Sequence, residues 1–120
     1  MSAEIDVTAM RVKTLERLAE AEQVWPQVAQ KYGVTNPVPP WKSSLDATCE
    51  ALDREGTALQ LLTRRNDEDR LCEQVYRSLP YPENQLVALA HSLVVRNVID
   101  EAMLADRMQE IRRRLEAGQA

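Results

Sequence analysis

The sequence lacks the residue patterns on which most catalytic and metal sites depend. Among 120 residues it has one histidine, two cysteines and three glycines, and it has no Cys-x-x-Cys or His-Glu-x-x-His pattern to hold a transition metal. It also has no glycine-rich phosphate loop and no serine in a nucleophile-elbow context. We therefore expect this chain to bind no metal or other cofactor and to carry no catalytic residue of its own.

Long apolar runs and a surplus of positive charge are also missing. No apolar segment approaches the roughly 20 residues of a membrane span, and the acidic, amphipathic N-terminus lacks the basic start and apolar centre of a secretory signal. The net charge of −4 and the pI near 5.0 give no long-range attraction for nucleic acid or an anionic membrane. These absences predict a cytoplasmic protein with no nucleic-acid or membrane partner.

The few reactive side chains are predicted to lie in packed positions. His91 has Val87 and Val95 as helical neighbours, which favours a packed or rim position over a catalytic base. Cys49 and Cys72 are far apart in sequence, and each falls on an apolar helical face. In the predicted compartment this favours buried free thiols over a disulfide.

Helical periodicity is what the sequence does have. Alanine, leucine, glutamate and arginine are abundant, and valine and isoleucine never alternate with polar residues for long. A chain of 120 residues suffices for one hydrophobic core. We predict an all-α fold, a small irregular helical bundle with an N-terminal helical arm, a proline-rich connector and a C-terminal helical hairpin.

Residues 1–38 are predicted to form the arm and its connector. Residues 6–24 have the pattern of an amphipathic helix, Trp25-Pro26 interrupts it, and a short helix would then end at Gly33. The prolines from 35 to 40 favour an extended, polyproline-like connector. An amphipathic arm on such a connector has few ways to bury its apolar face alone, so we expect another chain to cover it.

Residues 39–120 are predicted to form the helical domain. Its first helix begins at Pro40, carries Trp41 on its apolar stripe and ends at Gly56. A short helix follows, and Asn66 is placed to cap the next helix, whose first turn is acidic as the helix dipole prefers.

The hairpin, residues 81–115, has the clearest start and stop signals. Pro82 suits a first helical turn, and Asn97 suits the left-handed conformation that ends a helix. Asp100 is placed to cap a second helix, and the rest of the chain is expected to pack around the pair. One apolar face of this second helix consists of Leu104, Met108, Ile111 and Leu115.

Two arginine clusters and two aromatic residues are candidates for contact with a partner. Arg64-Arg65 and residues 112–114 fit either solvated positions near helix C-termini or contacts with an anionic partner, because arginine forks onto anionic groups. Trp41 and Tyr81 stand beside prolines at segment boundaries and fit either core or interface positions. The pattern alone leaves both alternatives open.

Two stretches of the chain resemble one protein family. Residues 93–111, LVVRNVIDEAMLADRMQEI, are similar to the helical hairpin in the N-terminal half of nitrile hydratase beta subunits, where a Val-Ile-Thr/Asp-Glu turn leads into a helix ending in Gln-Glu-Ile. Tyr81 falls on the Tyr-Tyr pair that precedes that hairpin. Pro-Pro-Trp at 39–41, with the helix after it, is similar to an earlier segment of the same family. The resemblance covers residues 39–115.

This resemblance implies a non-catalytic subunit or activator of a nitrile hydratase-like metalloenzyme. The chain lacks the Cys-x-x-Cys-Ser-Cys claw by which the family's alpha subunit holds cobalt or iron, so the metal that hydrates a nitrile to an amide is expected in an alpha-like partner. The N-terminal arm would wrap that partner. A family arginine that contacts the partner's oxidised cysteines falls in the region of Thr63-Arg64-Arg65, which implies this role for Arg64 or Arg65.

Two hypotheses of other classes stand beside this one. The chain would in one case be a helical protein–protein interaction module with no tie to metal chemistry. In the other it would be an independent enzyme centred on His91.

Overall fold

The computed structural model describes residues 6–20, 30–31, 33, 39–55 and 61–118. In these ranges the chain forms five helices: α1 Lys13–Glu20, α2 Lys42–Glu55, α3 Leu61–Gln74, α4 Glu83–Val95 and α5 Glu101–Ala117. No β-strand occurs in the same ranges. The prediction of an all-α fold is confirmed.

Helix α4 is the central element, because both α1 and α3 pack against it. Val87 and Val95 are buried on α4, as expected for a helix covered on more than one side. The core is completed by Leu71 of α3 and by Tyr76 and Leu79 in the turns that follow α3. None of the helices in the described ranges has the length and apolarity needed to span a bilayer.

The N-terminal segment differs from the prediction of a helix over residues 6–24. Helix α1 begins only at Lys13, and the residues before it form turns. The carboxylate of Asp6 accepts hydrogen bonds from the backbone N–H of Thr8 (3.0 Å) and from its hydroxyl (2.6 Å). Such a local side-chain bond offers the backbone an alternative to the helix.

Residues 6–20 nevertheless belong to the core of the chain. Val7, Val12 and Leu15 are all buried in one cluster with Leu71 and side chains of α4. The chain therefore buries part of the apolar face of the arm by itself. Met10 and Leu18 on that face are 56% and 40% exposed, so coverage of the rest by another chain stays a prediction. Predictions that fall on Trp25-Pro26, residues 34–38 and Gly56 lie outside the described residues.

Helix α3 runs through the boundary that was predicted at Asn66. Asn66 is exposed inside the helix and caps nothing, so the prediction of two helices here is wrong. A single asparagine costs a helix less than about 1 kcal/mol. Arg64 and Glu68, one turn apart, form an ion pair that spans the predicted boundary.

The junction between α4 and α5 has the predicted local structure. Asn97 has a φ of 61°, and its N–H bonds to the carbonyl of Val94 while that of Val98 bonds to Leu93. This is a Schellman motif. Asp100 then caps α5 through a 3.0 Å hydrogen bond from the N–H of Met103.

Helix α5 is attached to the rest of the chain by its first turns. Glu101 accepts a hydrogen bond from the N–H of Thr14 at 3.2 Å, and Leu104 packs against the core. No residue of α5 is fully buried, and Ile111 and Leu115 are 40% and 65% exposed. Beyond its first turns, the apolar face of α5 is therefore largely uncovered by the residues that the structure describes.

Candidate functional site

His91 is a core residue with both ring nitrogens in use. Its Nε2 lies 2.8 Å from the carbonyl oxygen of Val7, and its Nδ1 lies 2.6 Å from the hydroxyl of Tyr76. A carbonyl only accepts, so Nε2 carries the proton and Nδ1 accepts from Tyr76. Burial raises the pKa of Tyr76, which keeps its hydroxyl protonated for this bond. The prediction that His91 occupies a packed position is confirmed.

The adjacent arginines of α3 have different surroundings. Arg64 is 3% exposed. Its guanidinium donates to Glu68 at 2.7 Å and to Asp53 at 2.7 Å, so it ties α3 to α2. Arg65 is exposed. Both lie in the first half of α3, so the predicted position near a helix C-terminus is wrong, and partner contact stays a prediction for both.

An open cleft of about 680 Å³ lies where α2, α3 and the start of α4 meet. Arg64, Arg65 and Tyr81 all line it, so the fold brings three of the four sequence-predicted site residues together. Among the lining residues that the structure describes, these two arginines stand against five carboxylates, so this lining is acidic: Asp46, Glu50, Asp53, Glu68 and Asp69.

Three side-chain oxygens of residues that line this cleft have no hydrogen-bond partner among the residues that the structure describes. They are Oε1 of Glu68, Oδ1 of Asn84 and Oε1 of Gln85, and all three are buried. Glu68 is only 6% exposed, and burial raises the pKa of its carboxyl group despite the attraction of Arg64. Buried polar groups are nearly always paired, so this cluster requires an explanation.

Both cysteines also line the cleft. Cys49 and Cys72 are half-buried free thiols, which confirms that they form no disulfide. Burial raises the pKa of each thiol, so both are protonated near neutral pH and neither is an activated nucleophile. In the part of the chain that the structure describes, no three His, Cys, Asp or Glu residues are grouped to hold a metal ion.

Trp41 and Tyr81 differ in exposure and location. Tyr81 is exposed at the rim of the acidic cleft, and the ammonium group of Lys42 lies 5.6 Å from its ring centroid. Trp41 is half-buried and lines a separate, smaller apolar cleft with Leu86 and Leu89 of α4. Tyr81 is therefore available at the surface, whereas Trp41 is partly withdrawn into the smaller cleft.

Sequence reasoning missed a buried polar network between α3 and α4. Asp67 accepts hydrogen bonds from Ser92 at 3.0 Å and from Arg96 at 2.6 Å. Asp67 was interpreted only as part of an acidic first helical turn. Ser92 lies on α4 and Arg96 directly follows the helix, four residues further on. This spacing of two polar residues was the available signal that the helix presents polar groups to a neighbour.

Most of the apolar side chains of α5 are left uncovered by the described chain. Met103, Ile111 and Leu115 are exposed, and Met108 is half-buried. Arg112 pairs with Glu116 at 2.9 Å, but both side chains are largely exposed, so the pair adds little stability. Arg113 and Arg114 make no ion pair with any residue that the structure describes.

Comparison with protein-family models, with curated proteins and with solved structures gave no match for this chain. Function is therefore inferred from residue geometry and from the resemblance of residues 39–115 described above.

Proposed function

We propose that this chain is a non-catalytic helical subunit or activator of a nitrile hydratase-like metalloenzyme. Its alpha-like partner would hold cobalt or iron and hydrate a nitrile to an amide in the cytoplasm. The observation that carries the proposal is the uncovered apolar face of α5, where Ile111 and Leu115 are 40% and 65% exposed. Helix α5 also contains much of the stretch that resembles the beta-subunit hairpin.

The spacing of the apolar residues on α5 suits a helix that docks on another protein. Leu104, Met108, Ile111 and Leu115 follow one another at intervals of four, three and four residues, which forms a single seam along the helix. Most helical stability in proteins comes from packing of such a face. A helix that is attached only by its first turns is therefore stabilised most by a partner that covers its remaining apolar residues.

The charges beside the seam indicate what kind of partner fits. Arg107 and Arg114 precede Met108 and Leu115, and Arg112 follows Ile111, so arginines flank the apolar seam on both sides. The matching surface has an apolar floor and an acidic rim. A second copy of this helix fits poorly, because its arginines would face those of the first copy.

Arg65 is the better candidate for contact with the partner's oxidised cysteine thiolates. The guanidinium of Arg64 is buried and already bonded to Asp53 and Glu68. Arg65 is exposed and lines the same cleft as Tyr81. An exposed arginine keeps its donors free for an anionic group on another chain.

Co-expression with an alpha-like subunit that carries a Cys-x-x-Cys-Ser-Cys claw tests the proposal. We expect a stable complex that hydrates nitriles. The variant Ile111→Glu/Leu115→Glu should abolish co-purification, because it places two charges in the docking seam. Leu62→Glu is the matched control, because Leu62 is 73% exposed on α3, outside the seam, and this variant should still assemble.

The role of Arg65 is tested in the same complex. Arg65→Ala should lower nitrile hydration while circular dichroism shows an unchanged fold. If the complex with Arg65→Ala hydrates nitriles as fast as the unaltered complex, the chain has a structural role only.

The alternative function is a helical protein–protein interaction module unrelated to metal chemistry. The exposed seam of α5 supports this alternative as well, because an apolar docking face does not require a metalloenzyme partner. If no claw-bearing subunit forms a complex with the chain, the nitrile hydratase proposal fails. Loss of binding to a different protein in the Ile111→Glu/Leu115→Glu variant would then establish the alternative.

A further inference from the structure

We propose that the exposed seam of α5 pairs with one helix of a partner chain, and that this helix has acidic residues on both flanks of its own apolar stripe. The inference rests on the docking role of α5 in the proposed function. It adds the secondary structure and the charge pattern of the surface that docks there.

The part of the seam that is available for docking begins at Met108. Leu104, one turn earlier, packs against the core. Met108 is half-buried, and Ile111 and Leu115 are 40% and 65% exposed. Residues 108–115 span about two helical turns, or roughly 10 Å along the helix axis. A single helix suffices to cover a stripe of this length.

The width of the seam favours a helix over a broad apolar surface. Its intervals alternate between four and three residues, the repeat at which each apolar side chain inserts between four side chains of a facing helix. A helix that lies on a broad core has a wider stripe, with apolar residues at a third position in each heptad as well. In the available part of the seam, the residues at its two edges are arginines instead.

These arginines occupy both flanks of the seam. Arg107 and Arg114, seven residues apart, share one flank, and Arg112 lies on the other. In a pair of helices, such flanking residues contact the flanks of the partner helix and determine which helix is accepted. Arg107 and Arg112 each form one ion pair within α5, at 3.2 and 2.9 Å. A guanidinium group has several N–H donors, so each arginine keeps donors for a carboxylate of another chain.

The total charge of α5 favours an acidic protein helix over a phosphate-rich surface. The helix contains four arginines and four carboxylates, so these charges sum to zero. Binding to nucleic acid or to an anionic membrane depends on a surplus of positive charge. A second copy of α5 would place arginine opposite arginine. The flanking arginines therefore match carboxylates at defined positions of a different helix.

Two synthetic peptides test this charge pattern on the isolated chain. Both are helix-forming heptad peptides with leucine on the apolar stripe, but the acidic peptide has glutamate at both flanks and the basic peptide has lysine there. NMR follows the backbone amide signals of residues 107–115 during each titration. We expect saturable shifts with the acidic peptide and binding of the basic peptide that is at least about tenfold weaker, since the flanking pairs change from attraction to repulsion. Added salt should weaken binding of the acidic peptide.

Two adjacent arginines provide matched variants. Arg114→Glu reverses a flanking charge and should weaken binding of the acidic peptide at least about threefold. Arg113→Glu makes the same change of charge, but Arg113 is two residues from both Ile111 and Leu115 and therefore lies on the opposite face of α5. This variant should bind within about twofold of the unaltered chain. Circular dichroism checks that both variants keep their helix content.

Three outcomes would overturn the proposal. Equal binding of the acidic and basic peptides, or equal effects of Arg113→Glu and Arg114→Glu, would show that the flanking charges select nothing. A dimer of the isolated chain that dissociates in Ile111→Glu/Leu115→Glu, measured by sedimentation equilibrium, would make a second copy the occupant of the seam. Tighter binding to phosphatidylserine vesicles than to the acidic peptide would make the occupant a membrane surface.

Failure of this inference is distinguishable from failure of the proposed function. If the chain binds the acidic peptide selectively but forms no complex with a claw-bearing subunit, the inference stands and the proposed function fails. If that complex forms and neither peptide binds, the inference fails and the proposed function stands.

Discussion

Replacement of Arg64 by alanine should destabilise this chain strongly. Arg64 is 3% exposed and joins α3 to α2 through Asp53 and Glu68. After its removal, Asp53 is still partly hydrated because its side chain is 30% exposed. Glu68 is buried, and neither of its oxygens would then have a hydrogen-bond partner among the described residues.

The expected loss follows from that unpaired carboxyl group. Breaking a buried ion pair by removing one partner costs about 3–5 kcal/mol, and the partial hydration of Asp53 places Arg64→Ala at about 3 kcal/mol. Arg65 is exposed, so Arg65→Ala should change stability by less than about 0.5 kcal/mol. Urea unfolding followed by circular dichroism measures both variants under identical conditions.

The penalty should also depend on pH. Burial raises the pKa of Glu68 above its ordinary value of 4.5, and loss of Arg64 removes the largest effect that opposes this. A carboxyl group with a raised pKa favours the folded state fully below its ordinary pKa, and this contribution is lost as the pH rises through the raised value. The difference between Arg64→Ala and the unaltered chain should therefore shrink as the pH is lowered towards 4.5, the ordinary pKa of this group.

A paired replacement provides the control for this reasoning. Arg64→Met combined with Glu68→Leu removes both buried charges and should recover most of the lost stability, because apolar side chains often replace a buried ion pair without loss. An Arg64→Ala variant as stable as Arg65→Ala would refute the interpretation. So would a penalty that stays constant as the pH is lowered.

Three further substitutions test other contacts. His91→Phe removes two buried hydrogen bonds and should cost about 1–3 kcal/mol for each group left unpaired, measured by urea unfolding. Asp67→Ala leaves Arg96 without its buried carboxylate and should cost about 3 kcal/mol in the same assay. A loss below about 1 kcal/mol in either variant would contradict these contacts. Asp100→Ala removes the N-cap of α5 and should cost about 1 kcal/mol. Its effect should appear as faster amide exchange confined to α5 and not as global unfolding.

The features that the sequence predicted correctly depend on neighbours close in the chain. The left-handed turn at Asn97 and the cap at Asp100 each involve hydrogen bonds across three to five residues. Their physics is contained in a short window, so residue type decides it. The buried position of His91 was predictable for a similar reason, since Val87 and Val95 lie one turn away on the same apolar face.

The features that the sequence missed depend on contacts between distant segments. Asp67 pairs with Ser92 and Arg96 across 25 and 29 residues, and no local pattern assigns such partners. The continuity of α3 through Asn66 was missed because the ion pair of Arg64 and Glu68 outweighs a weak local preference. Helical periodicity identified the apolar seam of α5, but periodicity cannot say which surface covers a seam.

These contacts also determine which arginine is informative about function. Domains have a total stability of about 5–15 kcal/mol. A loss of about 3 kcal/mol therefore lowers the folded fraction of the variant under many conditions. Lost activity in Arg64→Ala would therefore reflect loss of the link between α2 and α3 and not a direct contact with a partner. Arg65 is exposed at the rim of the same cleft, so its removal changes the charge offered to a partner while leaving the fold intact. If nitrile hydration by the proposed complex is lost in Arg65→Ala and retained in Arg65→Lys, positive charge at this position suffices. If it is lost in both variants, the role requires a forked hydrogen bond that only arginine supplies.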